Sequence, residues 1–167
     1  MVMEIENALK RLLPEIANRL SSFKDTGYSF EEWFNWELFH ALDPQKNTVK
    51  PKPSYKSFGG AQGDGFGDIA IGENTFIEIG LVHDFTSSKW LGKLESDRSA
   101  LLALQKPGLK CLQVILLVSR HSEIQKVSDW STWLERLSFW QERPVFQIQA
   151  PLACGGQAIV LAWCVGS

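Results

Sequence analysis

The sequence predicts an α/β domain built as a mixed β-sheet flanked by helices, and three observations lead there. Helix signals recur in four segments of the chain. GDIAIGENTFIEIG alternates with the two-residue period of a β-hairpin. CLQVILLVS is a continuous apolar run of strand length, the pattern of a strand buried on both faces. Taken in chain order, the elements read helix, helix, strand, strand, strand, helix, strand, helix, strand, strand, which is the plan of an α/β sandwich around one sheet.

The first helix is marked by Ile5, Ala8, Leu9, Leu12, Leu13, Ile16 and Leu20, with Pro14 either kinking it or opening a second. Ser29 followed three residues later by Glu32 is a capping-box pattern, and the helix it opens runs through FEEWFNWELFHAL to about Leu42, where Asp43-Pro44 stops it. TVKPKPSYKSF is extended, and its two prolines suit an edge strand. GGAQGDGFG is a loop. After the hairpin, Ser87 or Ser88 can cap a third helix reaching about Gln105 before Pro107-Gly108 ends it. Trp130, Trp133, Leu134, Leu137 and Trp140 recur at helical spacing and predict a fourth helix, with its tryptophans in packing rather than base stacking. VFQIQAPL and AIVLAWCVG close the fold as a hairpin across a Cys-Gly-Gly turn. There is no internal repeat or low-complexity tract.

A chain of 167 residues, 44% hydrophobic, is expected to form a single domain over residues 1–167 with a sizeable core. No apolar stretch is long enough to span a bilayer, and the N-terminal MVMEIENALKRLL mixes acids with bases, so the expectation is a cytoplasmic protein with no membrane partner. Cys111, Cys154 and Cys164 lie in apolar runs without C-x-x-C spacing and read as buried free thiols. A net charge of -2 excludes a generic polyelectrolyte binder but permits a local basic patch. Such a patch is present: Lys46, Lys50, Lys52 and Lys56 fall between Pro44 and Gln62 with no acid among them.

Several chemistries are poorly supported. No G-x-S-x-G elbow is present, and His40, His83 and His121 lack zinc-site spacing, leaving His83 as a rim residue just past the acidic strand. The glycine loop precedes a strand and lacks Gly-Lys-Ser/Thr, so it is not a phosphate loop, and one copy of Gly-Gly-x-Gly-x-Asp is weak evidence for calcium. It reads as flexible backbone that lets a substrate approach Asp68.

The hairpin register follows from side-chain alternation. With Gly72-Glu73-Asn74 as the loop, Ile71 faces Thr75, Ile69 faces Ile77, and all the isoleucines share one side. A three-residue loop needs a left-handed residue, which Asn74 can supply. The other face then carries Asp68, Ala70, Phe76, Glu78 and Gly80, with Asp68 opposite Glu78. Like charges directly across two strands repel, and a bound cation removes that penalty. Oxygen ligands converging at a sheet end, with positions left for water and phosphate, suit Mg²⁺.

The order helix, strand, strand with Asp, strand with Glu, helix, buried strand resembles the core of the PD-(D/E)XK nuclease superfamily, the restriction-endonuclease-like phosphodiesterases. The resemblance runs from about Ser29 to Ser119 and rests on NWELFHAL, GFGDIAI, FIEIG and KWLGKLESDRSALLAL. It implies a restriction-endonuclease-like mixed β-sheet of core order αβββαβ, here with an added N-terminal helix and a C-terminal helix plus hairpin. It further implies a nuclease dependent on Mg²⁺ or Mn²⁺, with Asp68 and Glu78 holding the metal. A glutamate from the preceding helix often completes such a site. Glu32 has a structural reason to be present in the capping box and Glu31 in the helix dipole, so Glu37 is the expected third acid. Gly80 stands where the family carries its lysine. Lys93 on the next helix is the expected substitute, with Lys89 second, and Lys93 is also spaced to pair with Asp97.

Nucleic acid, DNA in preference to RNA, is the implied partner, with Lys50, Lys52, Lys56 and Lys89 placed to meet phosphates. Lysines and prolines protecting an edge strand explain the same residues. The chain is also compatible with a homodimer. The alternative to an enzyme is a relative that kept the fold and lost catalysis, acting as a binding, immunity or regulatory module; Gly80 divides the two.

Overall fold

A computed structural model describes residues 2–42, 48–60, 65–121, 131–153 and 155–166. Amphipathic spacing produces α1 (Val2–Phe23), whose buried stripe from Ile5 to Leu20 matches the sequence pattern. Pro14 lies inside it, and the helix continues as one element. α2 (Glu31–Ala41) follows, but without the expected capping box: Phe30 occupies the N-cap, Ser29 Oγ accepts only the Glu31 N–H at 3.5 Å, and Glu32 points to Lys52 at 3.1 Å.

The described residues form a six-stranded sheet in the order β1-β2-β3-β4-β6-β5. Its strands are β1 (Val49–Pro51), β2 (Ile69–Ile71), β3 (Thr75–His83), β4 (Lys110–Ser119), β5 (Phe146–Pro151) and β6 (Gln157–Val165). β3 and β4 are parallel, joined through α3 (Leu91–Leu102), and every other pair is antiparallel. The lysine-proline segment does take the edge, as β1. β4 is buried along nine of its ten residues, as its continuous apolar run requires.

Alternation along the strands sorts the core onto two faces. Ile69, Ile71, Ile77, Ile79 and Leu81 join Leu112, Val114, Leu116 and Val118 beneath α1 and α2. On the reverse face, Val82, Ile115, Leu117, Ile159, Leu161 and Trp163 pack against Leu94 of α3 and against Trp133, Leu134, Leu137 and Phe139. The α/β class with a mixed sheet therefore stands.

Two helix expectations are corrected. α3 is preceded by a 3₁₀ turn at Ser88–Trp90 and ends at Leu102, with neither serine side chain capping it. The fourth helix shrinks to α4 (Ser131–Leu134), after which the chain proceeds by turns closed by bonds to the third residue back, from Arg136 to Trp133 and from Leu137 to Leu134. Tertiary anchors override the helical spacing here. The Glu95 carboxylate takes both the N–H and the hydroxyl of Ser138, at 2.6 and 2.9 Å, and Phe139 turns inward off the predicted stripe. Trp133 is buried as expected; Trp130 lies outside the described residues.

Cys111 is buried and Cys164 partly so, both as free thiols, while Cys154 lies outside the described residues. Burial pushes the Cys111 thiol up to about 11, which suits a packing residue rather than a nucleophile. Among the described residues no helix is long and apolar enough to cross a membrane.

Candidate functional site

The hairpin has the expected register, with Ile71 opposite Thr75 and Ile69 opposite Ile77, so Gly72 to Asn74 form the loop. Its left-handed residue is Gly72, at φ +57°, rather than Asn74. β2 begins at Ile69 whereas β3 continues to His83, which leaves part of the β3 edge without a strand partner. Side-chain oxygens take over along that edge. Asp68 Oδ2 accepts the Ile79 N–H at 2.7 Å, Glu31 Oε2 the Leu81 N–H at 3.1 Å, and Thr86 Oγ1 the His83 N–H at 2.9 Å. Short pairing of β2 is thus what brings acids from two different elements together.

The remaining atoms of the site are held from several sides. Asp68 Oδ1 accepts from Asn35 Nδ2 of α2 at 2.7 Å. Glu78, 4% exposed on the face toward α3, accepts a hydrogen bond from the Tyr55 hydroxyl, which a 3₁₀ turn at Tyr55–Phe58 delivers. The Lys93 ammonium of α3 lies 3.3 Å from Glu31 and 2.9 Å from Asp97.

Electrostatics follow from the Lys93 ammonium set among Glu31, Asp97 and Asp68, with Glu78 beside Asp68. Burial, reinforced by the charge of Asp68, pushes the Glu78 carboxyl up to about 9 despite the Tyr55 hydrogen bond. Burial also raises Glu31 and Asp97, against the pull of Lys93. Burial works against the Lys93 charge in turn, but Glu31 and Asp97 outweigh it and hold the ammonium above its ordinary value. The Tyr55 hydroxyl is raised by burial and by Glu78, so it stays a donor.

Asp68, Glu78 and Lys93 therefore converge, through partners other than those expected. Asp68 lies beside Glu78 as expected, and its two oxygens also reach the β3 edge and α2. Glu37 is corrected: it pairs with Arg19 of α1 at 2.6 Å, away from the site. It stands six residues beyond Glu31, about 120° around the helix, so both cannot face one centre. Gly80 does not leave room for a lysine either. A Cβ there would meet Leu94 Cδ2 at 2.4 Å, so Leu94 fills that space and Lys93 enters beside it. Lys50 and Lys56 are exposed on β1 and the 3₁₀ turn, Lys52 pairs with Glu32, and Lys89 lines a cleft near His83. Lys46 lies outside the described residues, as does 61–64 of the glycine loop.

Sequence reasoning passed over Tyr55, Asn35 and Glu31. A signal existed for the helix pair, since Glu31 and Asn35 are spaced i, i+4 and must share a face. Nothing local singled out Tyr55. A direct check follows: Glu37→Gln should leave any activity unchanged and cost at most about 1 kcal/mol in stability, being a largely exposed pair. Glu31→Gln should lower both, by disturbing Lys93 and the Leu81 N–H; thermal melts with activity assays on the two variants separate them.

No protein-family model, curated protein or solved structure matches the chain.

Among the described residues, no group of three or more His, Cys, Asp or Glu side chains is arranged to hold a metal ion. A two-carboxylate site does fit a hard cation. Asp68 and Glu78 are oxygen donors crowded enough to raise the latter, and Asn35 Oδ1 is buried beside Asp68 with no hydrogen-bond donor. The sign of the resulting pH dependence is fixed. With its folded value near 9 and its unfolded value near 4.5, Glu78 binds a proton more tightly in the native state, so its contribution is full below pH 4.5 and is lost between 4.5 and 9. Melting temperature in EDTA should fall across that window, and Glu78→Gln should flatten the decline. Added Mg²⁺ should stabilise more at pH 8.5 than at pH 6, because a ligating carboxylate must be deprotonated. Calorimetric scans at those pH values provide the measurement.

Proposed function

We propose that the protein is a metal-dependent phosphodiesterase acting on nucleic acid, with DNA favoured, built on a restriction-endonuclease-like PD-(D/E)XK core. The observation that carries this reading is the meeting of Asp68 and Glu78 with a lysine from the following helix at an open sheet edge. The parallel β3-α3-β4 unit after an antiparallel hairpin, with α2 alongside, supports the αβββαβ assignment. The free thiols Cys111 and Cys164 suit a cytoplasmic setting.

In this reading Asp68 and Glu78 hold Mg²⁺ or Mn²⁺, which when bound supplies Lewis-acid charge at the phosphate and a more acidic water. The other residues act by position. Asn35 orients Asp68, and Tyr55 orients Glu78. Glu31 and Asp97 fix the Lys93 ammonium in its charged form, from which it can align water and offset negative charge developing on the phosphoryl oxygens during in-line attack.

A second reading is favoured by a specific observation. Leu94 occupies the space over Gly80, and Asp68 and Glu31 each already accept a β3 N–H, so the acids also serve to cap a sheet edge in a non-catalytic binding module. Incubating the purified protein with linear, circular and single-stranded DNA and with RNA, with and without Mg²⁺ or Mn²⁺, decides between them. The hydrolase reading expects metal-dependent cleavage that Lys93→Ala lowers by about 10²-fold or more. No cleavage by the wild type and no metal binding by calorimetry would favour the second.

A further inference from the structure

The open β3 edge runs between two clefts, and Glu31 lines both. At the Asp68 end, a cleft of about 210 Å³ is walled by Trp36 and Phe39 of α2, with Lys52 beside them. At the His83 end, a cleft of about 240 Å³ is walled by Phe85 and Trp90, with Lys89 beside them. Trp36 is 49% exposed, Phe85 50% and Trp90 37%, so each offers ring surface that the fold leaves open.

Aromatic surface on both sides of one carboxylate centre matches the two demands of an unpaired strand, whose bases need stacking partners and whose backbone brings one phosphate per nucleotide. Duplex is the poorer fit. Its bases are stacked inside, and its two rows of phosphates require a basic track. Here Lys52 is already paired with Glu32, and the centre between the clefts carries Glu31 and Asp68. A single backbone brings one row of phosphates and needs fewer cations, which Lys89 at one cleft and the Lys93 ammonium beside Glu31 supply.

We propose that the site takes single-stranded nucleic acid, with unpaired bases stacked on Trp36 at one side and on Phe85 and Trp90 at the other, and the intervening phosphodiester facing the Lys93 ammonium beside Asp68 and Glu31. The assignment of a phosphodiester to the centre rests on the phosphodiesterase reading; the stacking surfaces do not.

Binding is therefore measured apart from cleavage. Labelled oligonucleotides of one sequence, single-stranded and duplex, are titrated with the whole protein in EDTA, following anisotropy and tryptophan fluorescence. The single strand should bind about tenfold or more tighter than duplex and quench the tryptophan signal. Trp36→Ala and Trp90→Ala should each weaken single-strand binding about tenfold, Trp36→Phe should retain most of it, and circular dichroism melts should show all three folded. Equal or tighter binding of duplex overturns the proposal. So does single-strand binding at wild-type strength by a folded Trp36→Ala/Trp90→Ala double variant. Cleavage of the same oligonucleotides in Mg²⁺ is read separately. Single-strand preference without cleavage sinks the hydrolase reading and supports the stacking surfaces, whereas cleavage of duplex without single-strand preference does the reverse.

Discussion

Asp68→Ala is expected to reduce metal-dependent cleavage by about 10³-fold or more. On the phosphodiesterase reading, removing one of the two carboxylates proposed to hold the metal forfeits several kcal/mol of charge stabilisation at the phosphate, and each ~1.4 kcal/mol is a decade in rate. Stability must be followed in parallel, because the side chain also accepts hydrogen bonds from Ile79 N–H and Asn35 Nδ2. Leaving those donors without an acceptor costs about 1–3 kcal/mol each when they stay dry. Asp68→Asn is the informative companion. It keeps the volume and one acceptor oxygen but turns an amide donor toward the other donor, so it should melt between wild type and Asp68→Ala while losing metal affinity as completely as the alanine. Calorimetric Mg²⁺ titration of the two variants beside cleavage assays tests this. Cleavage that survives in a folded Asp68→Ala protein refutes the mechanism.

The contrast between Asp68 and Glu37 shows where the sequence was informative and where it was not. Period-two alternation across GDIAIGENTFIEIG constrains register tightly, because a one-residue slip would move every isoleucine to the opposite face; the pairing of Ile69 with Ile77 was therefore legible. The same holds for the edge placement of the lysine-proline segment and for the burial of β4. Choosing among the acids of α2 was a different problem. Glu31 was explained away by its position in the first turn, yet that end of the helix lies against the unpaired β3 edge, and a backbone N–H at Leu81 recruits it. Local propensity cannot report that β2 stops short. Asn35 shares its face and could have been found from the i, i+4 spacing, whereas Tyr55 reaches Glu78 through a 3₁₀ turn that no periodicity announces. The fourth helix failed for a related reason: Glu95 and the buried Phe139 impose turns on a segment whose apolar spacing is helical. Long-range hydrogen bonds decided these places, and they pair residues distant in sequence.

Gly67→Ala should injure stability and, on the phosphodiesterase reading, cleavage together, through one methyl group. A Cβ at this position would lie 2.2 Å from Phe76 Cε1, 2.6 Å from Phe76 Cζ and 2.7 Å from Glu78 Oε1. Phe76 is fully buried, stacked on Tyr55 with ring centroids 5.2 Å apart and set edge-on to Phe58 at 5.0 Å, so its ring has little freedom to retreat. Overpacking of this kind costs about 1–3 kcal/mol. The movement it forces runs through Phe76 to Tyr55 and directly into Glu78, displacing both members of the hydrogen bond that orients the carboxylate. The melting temperature should drop by about 3–10 °C, with cleavage falling well below what the unfolded fraction explains at the assay temperature. Phe76→Leu provides the internal control. It removes ring atoms that the new methyl meets and should itself destabilise, but the Gly67→Ala/Phe76→Leu protein should be more stable than the sum of the single losses predicts. Strict additivity would show that the two positions do not press on one another, and the close approach of Gly67 to the Glu78 carboxylate would then have no part in shaping the site.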